Sequence, residues 1–153
     1  MVMDLDGIVS KVKNKFPESI VDASTFRDEL TLHLLAKDIL PICRFLHDDP
    51  ELSFDYLVDL CGVDDYPDEP RFQVVYHLCA MKTRRRLRLK VSLRGAGPRI
   101  SSVFSVWKGA DWLEREAFDM FGITFLEHPD LRRILLTPDW EGHPLRKDYP
   151  LRG

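Results

Sequence analysis

Residues 71–93 read RFQVVYHLCAMKTRRRLRLKVSL, and the alternation in this stretch decides the fold class. Phe72, Val74, Tyr76 and Leu78 share one side of the first run. Leu87, Leu89, Val91 and Leu93 share one side of the second, with Arg86, Arg88, Lys90 and Ser92 opposite. A period of two sends successive side chains to opposite faces of a strand. A turn near Lys82-Thr83-Arg84 joins the runs, so they are expected to pair as a hairpin with one buried face and one wet, basic face. Gly95-Ala96-Gly97-Pro98 ends the second strand.

Upstream, Phe54, Tyr56, Val58 and Leu60 recur with a period of two and predict a further strand with those four on one face. Asp64 through Pro70 is an acidic, proline-rich loop. Leu30, Leu32 and Leu34 predict a short strand. Asp38 can cap a helix that carries Ile39, Ile42, Cys43 and Leu46 on one stripe, and Asp48-Asp49-Pro50 stops it. Leu5, Ile8, Val9, Val12 and Phe16 follow helical spacing and predict an amphipathic first helix.

Downstream, Ile100 to Trp107 fits either a strand or a short helix. Asp111 followed by Glu114 has the form of a capping box, and Gly122 stands where a left-handed C-terminal cap is expected. Trp112 to Phe121 is therefore a helix of about three turns. From Ile123 the pattern changes to a proline-rich tail in which only Leu131 to Leu136 looks regular. The expectation is a single α+β domain, with a small mixed or antiparallel sheet flanked by helices. Residues 1–122 would form the core, and residues 123–153 an extended C-terminal arm that orders against a partner.

The chain has 153 residues, 44% hydrophobic and 31% charged, with a formal net charge of −3. That length buries enough surface to fold without disulfide or metal, and the charge carries no general bias toward nucleic acid or anionic lipid. No apolar run approaches the ~18–20 residues that span a bilayer. The N-terminus lacks the basic start and apolar block of a secretory signal, so membrane association is expected only through partners. Cys43, Cys61 and Cys79 are widely spaced and unpaired, each within an apolar stretch. They read as buried structural residues rather than ligands for zinc or an iron–sulfur cluster.

Residues able to carry chemistry are few. Glu114 and Glu116 are two apart on a helix and so point about 200° apart, which keeps them from sharing one catalytic site. Arg115 and Asp119 are spaced as an i,i+4 pair that supports the helix. His128 and His143 each precede proline without a second ligand nearby. They read as rigid turns whose imidazoles hydrogen-bond the backbone or a partner. The basic run from Lys82 to Lys90 lacks the interleaved aromatics of single-strand nucleic-acid binders, so a solvated face, or one paired with an acidic partner, is the better reading. Glycine-rich phosphate loops and a GxSxG elbow are missing.

Three stretches are more specific: EREAFDMFGI at 114–123, HPDLRRIL at 128–135 and GHPLRKDYPL at 142–151. Together with FDYLVDL at 54–60 and RFQVVYHL at 71–78, they resemble the C (30 kDa-type) subunit family of respiratory complex I. The resemblance runs from about Leu52 to the C-terminus. One departure is Glu127, where the family usually has glycine before the first His-Pro. The resemblance implies a cofactor-free, non-catalytic subunit in the peripheral arm of a proton-translocating NADH:quinone oxidoreductase. Such a subunit supports the quinone-reducing module made by the B and D (49 kDa-type) subunits, with FMN and iron–sulfur clusters on partner chains. The expected location is the cytoplasmic face of the cell's inner membrane, reached only through the complex. A related complex, such as an energy-converting hydrogenase, is the alternative, with a nucleic-acid-binding module further behind.

Carried over by position, the resemblance implies three partner contacts. Glu114, Arg115, Glu116, Asp119 and Phe121 form one. His128, Pro129, Asp130, Arg132 and Arg133 form a second. His143, Pro144, Arg146, Lys147 and Asp148 form a third. No catalytic, cofactor or metal residue is implied.

Overall fold

The computed structural model describes residues 4–150. Residues 1–3 and 151–153, including Leu151 at the end of the expected arm, lie outside the described residues. The elements in chain order are α1 (Leu5–Lys15), β1 (Ile20–Phe26), β2 (Glu29–Leu34), a single 3-10 turn (Ala36–Asp38), α2 (Ile39–Asp48), β3 (Tyr56–Asp64), β4 (Phe72–Ala80), β5 (Arg85–Leu93), β6 (Arg99–Ser101), α3 (Ala110–Phe121) and β7 (Thr124–Leu126).

The expected hairpin is β4 and β5, paired antiparallel from Phe72↔Leu93 to Ala80↔Arg85. It forms the middle of a five-stranded mixed sheet of order β1-β2-β5-β4-β3, in which only the β2–β5 pairing is parallel. The register aligns apolar rows across four strands, such as Leu30–Leu87–Leu78–Leu57 and Leu32–Leu89–Tyr76–Leu60. Those rows meet Ile8 and Val12 of α1, Ile42, Cys43 and Leu46 of α2 and Ala117 of α3 in one core. Each fully buried Leu or Ile contributes about 1.5–3 kcal/mol of transfer free energy, so this shared face is the main source of stability. The opposite face carries Thr31, His33, Arg88, Lys90, Gln73 and His77, all half-buried, which gives the α+β layering expected from the sequence.

Several local expectations change. Strand β1 was not anticipated, because six of its seven residues are exposed and show no buried alternation. In β3 the buried residues are Leu57, Leu60 and Asp64, while Tyr56 and Val58 face outward. A bulge between Leu57 and Asp59 shifts the register, and Phe54 is buried just before the strand begins. Asp38 does not cap α2; its carboxylate accepts a hydrogen bond from Ser19 Oγ at 2.5 Å. The ambiguous stretch at 100–107 resolves into the short β6 followed by turns that bury Trp107, whose Nε1 donates to Phe54 O.

Helix α3 begins at Ala110 behind Gly109, with no side-chain cap, so Asp111 and Glu114 form no capping box. Its C-terminal end is as expected, with Gly122 left-handed at φ +76°. Strand β7 pairs in parallel with β6, and Ile123 and Phe125 are buried in the core. The irregular arm therefore starts at Glu127 rather than Ile123. Residues 131–136 within it form no regular element, only bends at 134–136. Of the cysteines, Cys43 is buried, but Cys61 and Cys79 are only half-buried.

Candidate functional site

The three signature stretches converge on one region, where the arm folds back along α3 and the end of β3. Asp119, in the third turn of α3, organises it. Its Oδ1 accepts from Arg133 Nη1 at 2.6 Å, and its Oδ2 accepts from the N–H groups of Ile134, Leu135 and Leu136 at 3.1, 2.8 and 2.9 Å. The Asp119 side chain is 0% exposed. Burial alone would raise its carboxyl, but Arg133 and the three main-chain donors outweigh it and hold the group below the usual carboxylate range. One carboxylate thus ties down three consecutive peptides of an otherwise irregular segment. Arg115 does not pair with Asp119 as its spacing predicted; its Nε donates to Arg132 O.

The second His-Pro motif closes over the same helix end. His143 Nδ1 donates to Asp119 O at 2.9 Å, and burial lowers the imidazole pKa, which keeps it neutral. Arg146 Nε donates to Phe121 O at 2.7 Å and Nη2 to Ala96 O at 3.0 Å, with the guanidinium 5.0 Å from the Phe72 ring centroid. These two side chains lie where a Cβ on residue 122 would sit, 2.6 Å from Arg146 Nη2 and from His143 Cδ2. Gly122 is therefore required twice, for its backbone conformation and for this approach.

The last contact reaches back to the loop after β3. Arg71 holds Asp64 through Nε to Oδ1 at 2.8 Å and Nη2 to Oδ2 at 2.9 Å, and Nη2 also donates to Asp148 Oδ1 at 2.7 Å. The Lys147 N–H donates to Asp64 Oδ2 at 2.7 Å. The Arg71 guanidinium holds the Asp64 carboxyl well below the usual range. Asp64 and Arg71 were missed as site residues in the sequence. An acid ending one strand and an arginine beginning the next mark a local pair, but nothing local announces a tail residue 83 positions away.

Beneath α3 lies a separate polar cluster. Glu114 is fully buried and accepts from Ser102 Oγ at 2.5 Å and Val103 N at 2.9 Å. Burial pushes its carboxyl up to about 7, against the pull of those two donors. The His128 ring is enclosed beside it. The Asp130 N–H donates to its Nδ1 at 2.9 Å, so Nε2 carries the proton and donates to Asp111 O at 3.3 Å. This is the backbone-bonded imidazole in a rigid turn expected for His128.

The other expected contact residues are distributed around this frame. Glu116 and Phe121 line a cleft with β3. Pro129, Asp130, Arg132 and Lys147 are exposed, with Asp130 and Arg132 paired at 2.8 Å on the surface, and Pro144 is half-buried. Glu127 has φ +64°, a conformation that favours glycine, which accounts for the glycine expected there. Leu126, Leu135, Trp140 and Leu145 remain among the exposed large apolar side chains. Among the described residues, no group of three or more His, Cys, Asp or Glu is placed to hold a metal ion, and no helix is long and apolar enough to cross a membrane.

Comparison with known proteins agrees with these motifs. The family model described as respiratory-chain NADH dehydrogenase, 30 Kd subunit, matches residues 32–153. A Roseiflexus castenholzii protein, named as the C-type subunit of NADH-quinone oxidoreductase, is 46% identical over 151 residues, covering 99% of this chain and 87% of that one. A solved structure titled Nqo5 of the trypsin-resistant fragment (1-134) superposes with a TM-score of 0.68 at 28% identity, over 84% of this chain and 100% of that one. A chain of the archaeal membrane-bound sulfane sulfur reductase shares the fold, with a TM-score of 0.80 at 23% identity over 95% of this chain and 85% of that one. The chain belongs to the 30 kDa subunit family of the respiratory-chain NADH dehydrogenase, and is a complex I-type subunit of a quinone oxidoreductase.

Proposed function

We propose that this chain is a non-catalytic structural subunit of the peripheral arm of a proton-translocating NADH:quinone oxidoreductase, holding the B- and D-type subunits of the quinone-reducing module in register. The observation that carries the reading is the arm itself. Arg133, His143, Arg146 and the Lys147 N–H anchor it to the chain's own α3 and β3, while Leu135, Trp140 and Leu145 stay exposed. An irregular segment pinned this firmly, with large apolar side chains outward, is suited to receive another protein.

Redox groups belong in this reading to partner chains, FMN and iron–sulfur clusters among them. The three cysteines sit on different elements, one in the core and two on neighbouring strands, and offer no shared ligand set. Membrane attachment comes through the assembled complex, on the cytoplasmic face. NADH as the electron donor rests on the names of the relatives. The same fold in an archaeal sulfane sulfur reductase keeps an equivalent subunit of a related complex as the second reading.

The test is gentle purification of a tagged copy from its own cells' membranes, with co-purifying chains identified by mass spectrometry. Stoichiometric B- and D-type subunits are expected, and the donor-binding subunit recovered decides between the two branches. A partner-free monomer, under conditions that keep such complexes intact, would remove the proposal.

A further inference from the structure

A cleft of about 250 Å³ opens between the edge strand β3 and helix α3. Leu60, Leu113, Ala117 and Phe121 give it an apolar lining, to which Leu145 of the arm adds. Asp59 and Glu116 stand at its margin, and no salt bridge engages either carboxylate among the described residues. The half-buried Cys61 lines the same cleft; burial first, and then the charges of Asp59 and Glu116, push its thiol up. The volume falls below the ~300–1,000 Å³ of small-molecule sites, and suits a single anchoring side chain. Further apolar surface continues along the same two elements, with Tyr56 and Val58 exposed on β3 and Trp112 on α3.

We propose that this cleft receives one large apolar side chain, flanked by lysine or arginine, from a neighbouring subunit of the complex. This rests on the assembly reading above and adds to it a position and a partner chemistry. The apolar side chain supplies the desolvated centre of the contact, and the flanking cations meet Asp59 and Glu116, which form no salt bridge among the described residues. The bulge after Leu57 disrupts the regular ladder geometry of this edge, which favours side-chain insertion over addition of another strand.

The test has two arms, both in the full chain expressed in its own cells. In a Cys79→Ser background, Cys61 should react with a maleimide at alkaline pH in the isolated chain and at least ten-fold more slowly in the purified complex. Equal rates in both overturn the proposal. Protection of Cys61 in an isolated chain that sediments as a dimer also overturns it, by assigning the cleft to a second copy. In the second arm, the double variant Asp59→Lys, Glu116→Lys should melt like the wild type when isolated, yet recover at least ten-fold less of its partner subunits. Wild-type recovery by that variant overturns the cleft and leaves the assembly reading standing. A wild-type chain that recovers no partners overturns both.

Discussion

Asp119 and Arg133 meet at 2.6 Å across 14 residues of sequence, with the carboxylate fully enclosed and the guanidinium also reaching Gly142 O. This contact converts an irregular tail into a fixed surface, because the second Asp119 oxygen simultaneously holds three successive N–H groups. Removing one member of a buried ion pair leaves the other uncompensated, at a cost of about 3–5 kcal/mol. Asp119→Ala should therefore lower the urea midpoint and speed protease cleavage within residues 127–150. Unchanged cleavage there would mean that the arm is held by something else.

Glu114 predicts a stability that declines with rising pH. Its folded-state carboxyl is raised to about 7 from an ordinary 4.5, so between those values the folded chain binds more protons than the unfolded one. Its contribution is complete below the ordinary value and is lost as pH rises through about 7. The unfolding free energy should fall by about 1–3 kcal/mol across that window, and Glu114→Gln should flatten the curve. Denaturant titrations at several pH values measure this directly. A wild-type curve already flat in that window would place the Glu114 carboxyl near its ordinary value.

Asp64 has the opposite sign. Arg71 depresses its carboxyl, so its contribution is present above the ordinary carboxylate range and lost as pH falls below it. Asp64→Asn should cost about 1–3 kcal/mol at neutral pH and make the acid-side loss of stability shallower. The variant should also release the arm near Lys147, whose N–H loses its charged acceptor. Hydrogen exchange at the Lys147 amide provides the readout, and exchange as slow as in the wild type would contradict the assignment.

Two positions with positive φ should respond in opposite directions. Glu127 holds φ +64° with a full side chain, so Glu127→Gly should gain up to about 1 kcal/mol, less the extra freedom given to the unfolded chain. Gly122→Ala adds a Cβ into space held by Arg146 and His143, at a backbone angle that disfavours it, and should cost about 1–3 kcal/mol. Thermal melts of the two variants should move apart, and a shift in the same direction for both would refute the backbone argument.

Much of the fold was legible because it rests on local periodicity. The alternation at 72–78 and 87–93 predicts the central hairpin, and the stripe Ile39, Ile42, Cys43 and Leu46 predicts α2. Burial of one face leaves a repeating mark in a sequence. Strand β1 left none, since an edge strand with both faces wet has no period to read. In β3 the bulge at Leu57/Asp59 breaks the period, so the inferred face fails at Tyr56 and Val58, while Phe54 before it and Leu60 after it are buried.

The sequence by itself determined the family, the hairpin, the helix stripes and the left-handed Gly122, all carried by motifs or spacings of a few residues. Only the tertiary structure decided what the signature residues do. Glu114 looked like a helix cap and is a buried acid bound to Ser102 and Val103. Asp119 looked like a surface partner for Arg115 and is the anchor of the arm. Asp64 looked like a loop residue and Arg71 like the start of a strand, and together they hold the tail at Lys147 and Asp148. The reason is physical: a buried charge must find its partners wherever the packed chain brings them. Sequence spacing records neighbours along the chain, not across it.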